Sequence, residues 1–358
     1  MAPKFDTTPK QQAGQFHFFK SQVFETKSPV LTQKEADLSG QTAIITGGNV
    51  GVGFEAGRQL LDAGLSKLIL AVRNEESGRT AAKALLAGRG ENQKVEVWKL
   101  DLSNYDSVMA FAERAQSLEA RPDVILLNAG VLCAKPTFNK STGYDEDVQT
   151  NFLSTVLLLS LLLPIVKDKP SAAKSTPSPV PRISIVSSIM AHWAKFAERD
   201  SDPLLAAFGD KSASNWDMEE RYSTSKLLAL LFLGELTHRI SPETVIINAP
   251  TPGVCHGSLF LRQTSGVVGF IIGMFYRLVG HSCTVGASQV LAAAVRAGPE
   301  SHGQFVENGK LRPLPVLVYT SEGEQLAKRV WKETMDELSF AGVEKIIDNL
   351  SSPSTTSP

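Results

Sequence analysis

From Gln41 to about Leu338, short runs of consecutive apolar residues alternate with stretches whose apolar positions recur at helical spacing. An apolar run of a few residues, bounded by turn-forming residues, reads as a strand covered on both faces. TAIIT (42–46), KLILAV (67–72), VEVWKLD (95–101), DVILLNAG (123–130), RISIVSS (182–188) and TVIINAP (244–250) fit that description, and His302 to Glu307 adds a seventh strand. Helical spacing marks Phe54 to Ala63, closed by Gly64, then Glu75 to Leu86, Val108 to Leu118, Asn151 to Val166, Arg221 to Ile240 and Gly323 to Leu338. Strands alternating with helices imply βαβ units joined by right-handed crossovers. The expected fold is therefore α/β: a Rossmann-type, doubly wound parallel sheet of about seven strands with helices on both faces, in one domain.

The flanks break this rhythm. Residues 1–39 form an N-terminal extension, polar except for FHFFKSQVF, where Phe16, Phe19 and Val23 fall on one face of a short helix. That face either packs across the main domain, the favoured reading, or touches a membrane surface. The main domain spans 40–340, with insertions near 168–181 and 192–220, and residues 341–358 are a C-terminal tail whose end, SSPSTTSP, suits disorder. The first insertion, KPSAAKSTPSPVPR, is Ser/Pro-rich and reads as a flexible or extended surface loop. LLLSLLL, before Pro164, is shorter than the roughly 20 apolar residues a membrane span needs, so a core helix is expected.

Composition narrows the function little. The chain has 358 residues, 42% hydrophobic and 20% charged, with formal net charge −1. That balance suits a globular protein and offers no basic excess for nucleic acid. Cys133, Cys255 and Cys283 are too scattered for a disulfide framework, and the first residues lack the apolar core of a secretory signal. An intracellular, cytoplasmic protein is expected, with peripheral membrane contact left open. His192, His238, His256, His281 and His302 show no paired metal-ligand spacing, so no catalytic metal is expected.

The chemistry begins with TGGNVGVG (46–53), which follows the first strand. Gly47, Gly51 and Gly53 let the backbone approach a pyrophosphate, while the next helix presents unpaired N–H groups and the positive end of its dipole. Asn49 and Val52 belong to the same loop. After the second strand comes Arg73 in AVRN, with no carboxylate before Glu75. An arginine there accommodates a ribose 2′-phosphate, which favours NADP(H).

TGGNVGVG, Asn128-Ala129-Gly130, Ser187-Ser188 and Tyr222-Ser-Thr-Ser-Lys226 occur in the order found in short-chain dehydrogenases/reductases, which the chain resembles from about Gly40 to Leu338. Within that family it looks most like the retinol-dehydrogenase-type branch and the reductases of fungal secondary metabolism. Hydride transfer to a carbonyl leaves negative charge on oxygen, so a proton donor and polarising groups are needed. Tyr222 is the candidate acid/base. Its phenol would ordinarily titrate at about 10, and Lys226, one helical turn away, favours the phenolate. The resemblance further assigns Lys226 to the nicotinamide ribose and Asn151 to a proton-relay water. It makes Ser188 the carbonyl-orienting hydroxyl, with Ser187 the alternative. It places Asp101 and Leu102 at the adenine, Asn128, Ala129 and Gly130 along the cofactor wall, and Pro252-Gly253 beside the nicotinamide, with Ser258 or a backbone amide substituting for the usual hydroxyl after that turn.

Ser188 and Tyr222 are 34 positions apart, more than the family's usual connection. The intervening insertion carries Trp193, Phe196, Phe208 and Trp216 and reads as a cover over the site entrance, with a purely structural cap the alternative. Residues 255–283 are the substrate loop by resemblance, and their apolar run from Val267 to Met274 suits a greasy substrate or peripheral membrane contact, with an ordinary packed helix the alternative. The expected activity is NADPH-dependent reduction of a ketone or aldehyde, or oxidation of the alcohol, on an apolar polyketide, terpenoid or retinoid. A non-catalytic NADP sensor or scaffold and an epimerase or dehydratase of the extended family are the alternatives. A homodimer through the Asn151 and Tyr222 helices is suggested by resemblance, and the Leu-rich helix suits it.

Overall fold

The computed structural model describes residues 5–173, 178–212, 216–256 and 279–351. In chain order the helices are α1 (Pro9–Gln12), α2 (Gln15–Phe24), α3 (Gly51–Asp62), α4 (Glu75–Leu86), α5 (Tyr105–Gln116), α6 (Glu146–Val148), α7 (Ser154–Asp168), α8 (Met218–Thr237), α9 (Cys283–Leu291), α10 (Ser321–Glu337) and α11 (Val343–Ser351). The strands are β1 (Thr42–Thr46), β2 (Lys67–Val72), β3 (Lys94–Lys99), β4 (Val124–Leu127), β5 (Arg182–Ile185), β6 (Ile246–Pro250), β7 (Cys255–His256), β8 (His281–Ser282), β9 (Phe305–Glu307) and β10 (Lys310–Arg312).

Eight strands form one sheet in the order β10-β9-β6-β5-β4-β1-β2-β3. All neighbours run parallel except β10 and β9. The order reverses between β1 and β4, and that switch point opens the crevice in which α/β sheets of this kind bind ligands. One apolar layer joins β1, β4 and β5 to α5, α7, α8 and α10, and a second packs α3, α4 and α9 on the opposite face. The doubly wound fold is as the apolar runs implied. The eighth strand was not: Asn308 (φ 52°) and Gly309 (φ 71°) turn the chain back into an antiparallel hairpin. Asn-Gly suits such a turn because both residues tolerate left-handed backbone.

Helix starts follow their caps. Asn74, Asn104, Asp217 and Thr320 each accept a backbone N–H from the first turn of α4, α5, α8 and α10. Replacing Asn104 by Ala strands the Ser107 N–H it accepts at 3.1 Å, and urea denaturation should show a loss of about 1 kcal/mol. Helix α7 and the turns before it are long and apolar enough to cross a membrane, yet 89% of the most apolar window is buried inside the protein. Leu157, Leu158, Leu159, Leu162 and Leu163 are all buried within the chain itself.

Three further expectations change. In the extension, Phe16 (83% exposed), Phe19 and Val23 face outward, and α2 is seated instead through Phe18, Ser21 and Gln22. Polar partners decide that orientation: Asn308 Nδ2 donates to Ser21 Oγ at 3.0 Å, and Gln22 bonds backbone near β7. Nearby, the buried Arg312 pairs with Asp6, Glu25 and Glu307, tying the extension to β9 and β10. Second, the tail begins with a packed helix, since Val343 and Ile347 of α11 are buried in the core. Third, the aromatic insertion before α8 is mostly packing: Phe196 and Phe208 are buried and stacked 6.5 Å apart, and Trp216 Nε1 donates to Asp145 at 3.0 Å. Residues 174–177 of the Ser/Pro-rich insertion, 257–278 of the substrate loop with Ser258, and the final 352–358 lie outside the described residues.

Candidate active site

Beyond β1 the chain takes left-handed backbone at Gly47 (φ 66°) and Gly51 (φ 60°) before entering α3. A side chain at Gly53 is excluded, because its Cβ would lie 2.6 Å from Asn128 Nδ2 and 2.7 Å from Gly47 O. Asn128 in turn donates to Thr46 O at 3.0 Å, and the Ala129 N–H donates to Thr46 Oγ1 at 2.9 Å, so the ends of β1 and β4 are laced together. No side chain caps α3 at Val50, so its first N–H groups carry no side-chain cap. A tight, side-chain-free loop at an uncapped helix start fits a pyrophosphate. These residues therefore suit the dinucleotide that the sequence implies.

Other cofactor candidates fall around this loop. Asn49 donates to Ser77 Oγ at 2.9 Å and holds the loop to the first turn of α4. Val52 stands in that loop's first helical turn, and it and Pro252 both border Gly286, where an added Cβ would lie 3.3 Å from Val52 and 3.4 Å from Pro252. Arg73 follows β2 with its side chain exposed. Its carbonyl accepts from the Lys99 ammonium at 2.6 Å, so two cations share this edge. Lys99 was not foreseen from sequence; it is brought there by the β2–β3 register, which pairs it with Val72. Asp101 holds an Asx turn, accepting from Ser103 Oγ at 2.8 Å, with Leu102 buried behind it.

The catalytic candidates converge at the carboxyl ends of β4 and β5. Tyr222 and Lys226 share one face of α8, and both are buried, with the Lys226 Nζ 5.7 Å from the Tyr222 ring centroid. Lys226 donates to Val186 O at 2.9 Å. Burial pushes its pKa down to about 8, opposed by the charge of Asp147. Asn151 lies in a π-helical turn, Gln149–Leu153, between α6 and α7, a distortion often found at functional sites. Its Oδ1 accepts from the Val131 N–H at 2.8 Å, and its Nδ2 donates to Val131 O at 2.9 Å and Ser225 Oγ at 3.0 Å. A Cβ on Gly130 would stand 3.0 Å from Asn151 Oδ1 and 3.5 Å from Lys226 Nζ, so these three meet without room for another side chain.

The two serines differ. Ser188 Oγ accepts from the Met190 N–H at 3.2 Å, which leaves its own hydrogen available to a substrate oxygen. Ser187 is buried, and its hydroxyl has no hydrogen-bond partner among the described residues. Asp147, which sequence reading passed over, is buried four residues before Asn151 and accepts from the Cys133 N–H at 3.2 Å. Burial, then the neighbouring Asp145, pushes its pKa up to about 7. An acidic residue in a run as polar as DEDVQ carries no sign of such burial, so no local signal distinguishes it.

Comparisons with known proteins bear on the family and the fold. A family model for short chain dehydrogenase matches residues 41–174. The chain is 47% identical over 354 residues to the short-chain dehydrogenase fogG of Aspergillus ruber, covering 98% of this chain and 99% of that protein. It is 42% identical over 336 residues to the short chain dehydrogenase/reductase mfmJ of Annulohypoxylon moriforme, covering 93% and 95%. Among solved structures, salutaridine reductase from Papaver somniferum superposes with a TM-score of 0.55 at 19% identity, over 75% of this chain and 99% of that one. That last likeness concerns the fold.

Proposed function

Because the chain belongs to the short-chain dehydrogenase/reductase family of oxidoreductases, we infer that it is an NADPH-dependent reductase of a ketone or aldehyde carried by an apolar small molecule. The observation that carries this reading is the meeting of Tyr222, Lys226, Asn151 and Gly130 at the strand ends, beside Ser188 and within reach of the glycine loop. When bound, reduced nicotinamide supplies the hydride. Tyr222 gives its phenolic proton to the carbonyl oxygen as charge develops there, and Ser188 donates a hydrogen bond to the same oxygen. The Lys226 ammonium steadies the phenolate that is left. Asn151, fixed by three hydrogen bonds, holds Val131 and Ser225 in place behind the lysine. Arg73 and Lys99 gather positive charge where the ribose 2′ position would lie, which favours the phosphorylated cofactor.

The test is NADPH consumption with a panel of apolar ketones and aldehydes, against NADH as the alternative donor. Turnover that prefers NADPH supports the reading, and cofactor binding without turnover on any carbonyl would sink it in favour of a sensor.

A pH limb follows from the buried lysine. Its ammonium loses its proton as pH rises through about 8, and reduction needs that charge, so kcat/KM for reduction should fall on the alkaline side of about 8. Asp147 raises the lysine pKa, so Asp147→Asn should move the limb to lower pH. A limb that stays in place in the variant would remove Asp147 from this role.

A further inference from the structure

Gln22 carries the N-terminal extension to the turn that leaves β6. Gln22, on the inner face of α2, is only 4% exposed. Its Oε1 accepts from the Val254 N–H at 3.0 Å, and its Nε2 donates to Val254 O and to Val279 O, each at 3.1 Å. The amide thus satisfies both backbone groups of Val254, as a neighbouring strand would, and joins the two chain segments that bound residues 257–278. Next to it, the His281 N–H donates to Val254 O at 2.8 Å, and β7 pairs with β8 from Cys255↔His281 onward. Gln22 therefore adds one rung to that short ladder.

The same side chain fills the space above a left-handed glycine. Gly253 has φ 69°, and a Cβ there would lie 2.7 Å from Gln22 Oε1. Gly253 belongs to the turn that leaves β6, and Pro252 of that turn and Val52 of the glycine loop both border Gly286. Just before the turn, Pro250 O accepts from the N–H of Ser187, next to Ser188. The turn before α2 and α2 itself also brace the segment after Ser188, where Trp193 donates to Ala13 O at 2.9 Å and meets Phe18 of α2 edge-on at 5.3 Å.

We propose that Gln22 is a positioning residue of this active site: its amide fixes the Pro252–Val254 turn and ties it to Val279, making the N-terminal extension part of the wall of the cofactor crevice. Two backbone segments that otherwise share a two-residue ladder gain a rigid link, so the turn keeps one arrangement relative to Val52 and Ser187. As a statement about the cofactor it rests on the dinucleotide reading above. The link itself is a matter of backbone order and is tested apart from it.

The experiment compares full-length wild type with Gln22→Met, which keeps the side-chain bulk but loses the amide, and with Gln12→Met. Gln12 lies on the same extension, is buried, and donates to Glu307 at 3.0 Å, on the β9 side and not at the turn. Hydrogen exchange at the Val254 and His281 amides should quicken at least about tenfold in Gln22→Met and stay unchanged in Gln12→Met. NADPH affinity, followed by protein fluorescence, should weaken about tenfold in the first variant only, with the melting temperatures of the two variants alike. If Gln22→Met does not fold, Gln22→Asn, one methylene too short to reach Val279, carries the same expectations. Unchanged exchange at both amides overturns the proposal, as does an equal loss of NADPH affinity in the two variants. Should wild type bind no NADPH at all, the dinucleotide reading fails, and the exchange measurement still decides the link.

Discussion

Tyr222→Phe should lower the rate of NADPH-dependent reduction by roughly a hundred- to ten-thousand-fold while leaving NADPH affinity within about a factor of two. The substitution removes one oxygen from a ring that is buried on α8, so packing is conserved and the effect is confined to proton donation. In free-energy terms the loss is about 3–5 kcal/mol of barrier, since each decade of rate is about 1.36 kcal/mol. Lys226 keeps its bond to Val186 O in the variant, and the cofactor crevice keeps its shape. An intact affinity with lost turnover is therefore the signature of an acid/base role. Comparable turnover in the two proteins would take the proton donor away from Tyr222. Absence of turnover in both, with NADPH bound by both, would favour a sensor that retains the fold.

The sheet was legible because parallel strands buried on both faces leave unbroken apolar runs, and β1, with all five residues buried, is the plainest case. The site was legible to the extent that its members are local: the glycines after β1 and the Tyr222–Lys226 pair on one helix are set by chain geometry over a few residues. What escaped depends on distant partners. Phe16, Phe19 and Val23 form as good an apolar stripe as any, yet α2 turns Ser21 and Gln22 inward because Asn308 and Val254, almost 300 and more than 200 positions away, offer hydrogen bonds. Lys99 joins Arg73 through strand register, and Asp147 is buried by elements remote in sequence. Phe196 and Phe208 went the other way, from an expected entrance into the core, since aromatic side chains in an insertion look alike whether they line a cleft or fill one. The β9–β10 hairpin is different again: its Asn-Gly turn was readable, and the strands beside it were too short to show a period.

Arg73→Asp should weaken NADPH binding by about a hundredfold and leave NADH affinity unchanged or improved, a size set by losing charge-assisted hydrogen bonds to a phosphate and adding like charge. The geometry explains why the effect belongs to this position. Arg73 leaves β2 at the carboxyl edge of the sheet, and its own carbonyl anchors Lys99, so the two cations occupy one rim. Lys99→Met removes the weaker point charge and should cost NADPH affinity about fivefold, with NADH again unaffected. Because Arg73 is exposed, raising the salt concentration should shrink the NADPH preference in wild type and change little in Arg73→Asp. Fluorescence titrations of both cofactors at low and high salt measure all of this in one series. Equal affinities for NADPH and NADH in wild type would show that the rim does not read the 2′-phosphate. A preference that survives Arg73→Asp would move that reading to Lys99, which shares the rim.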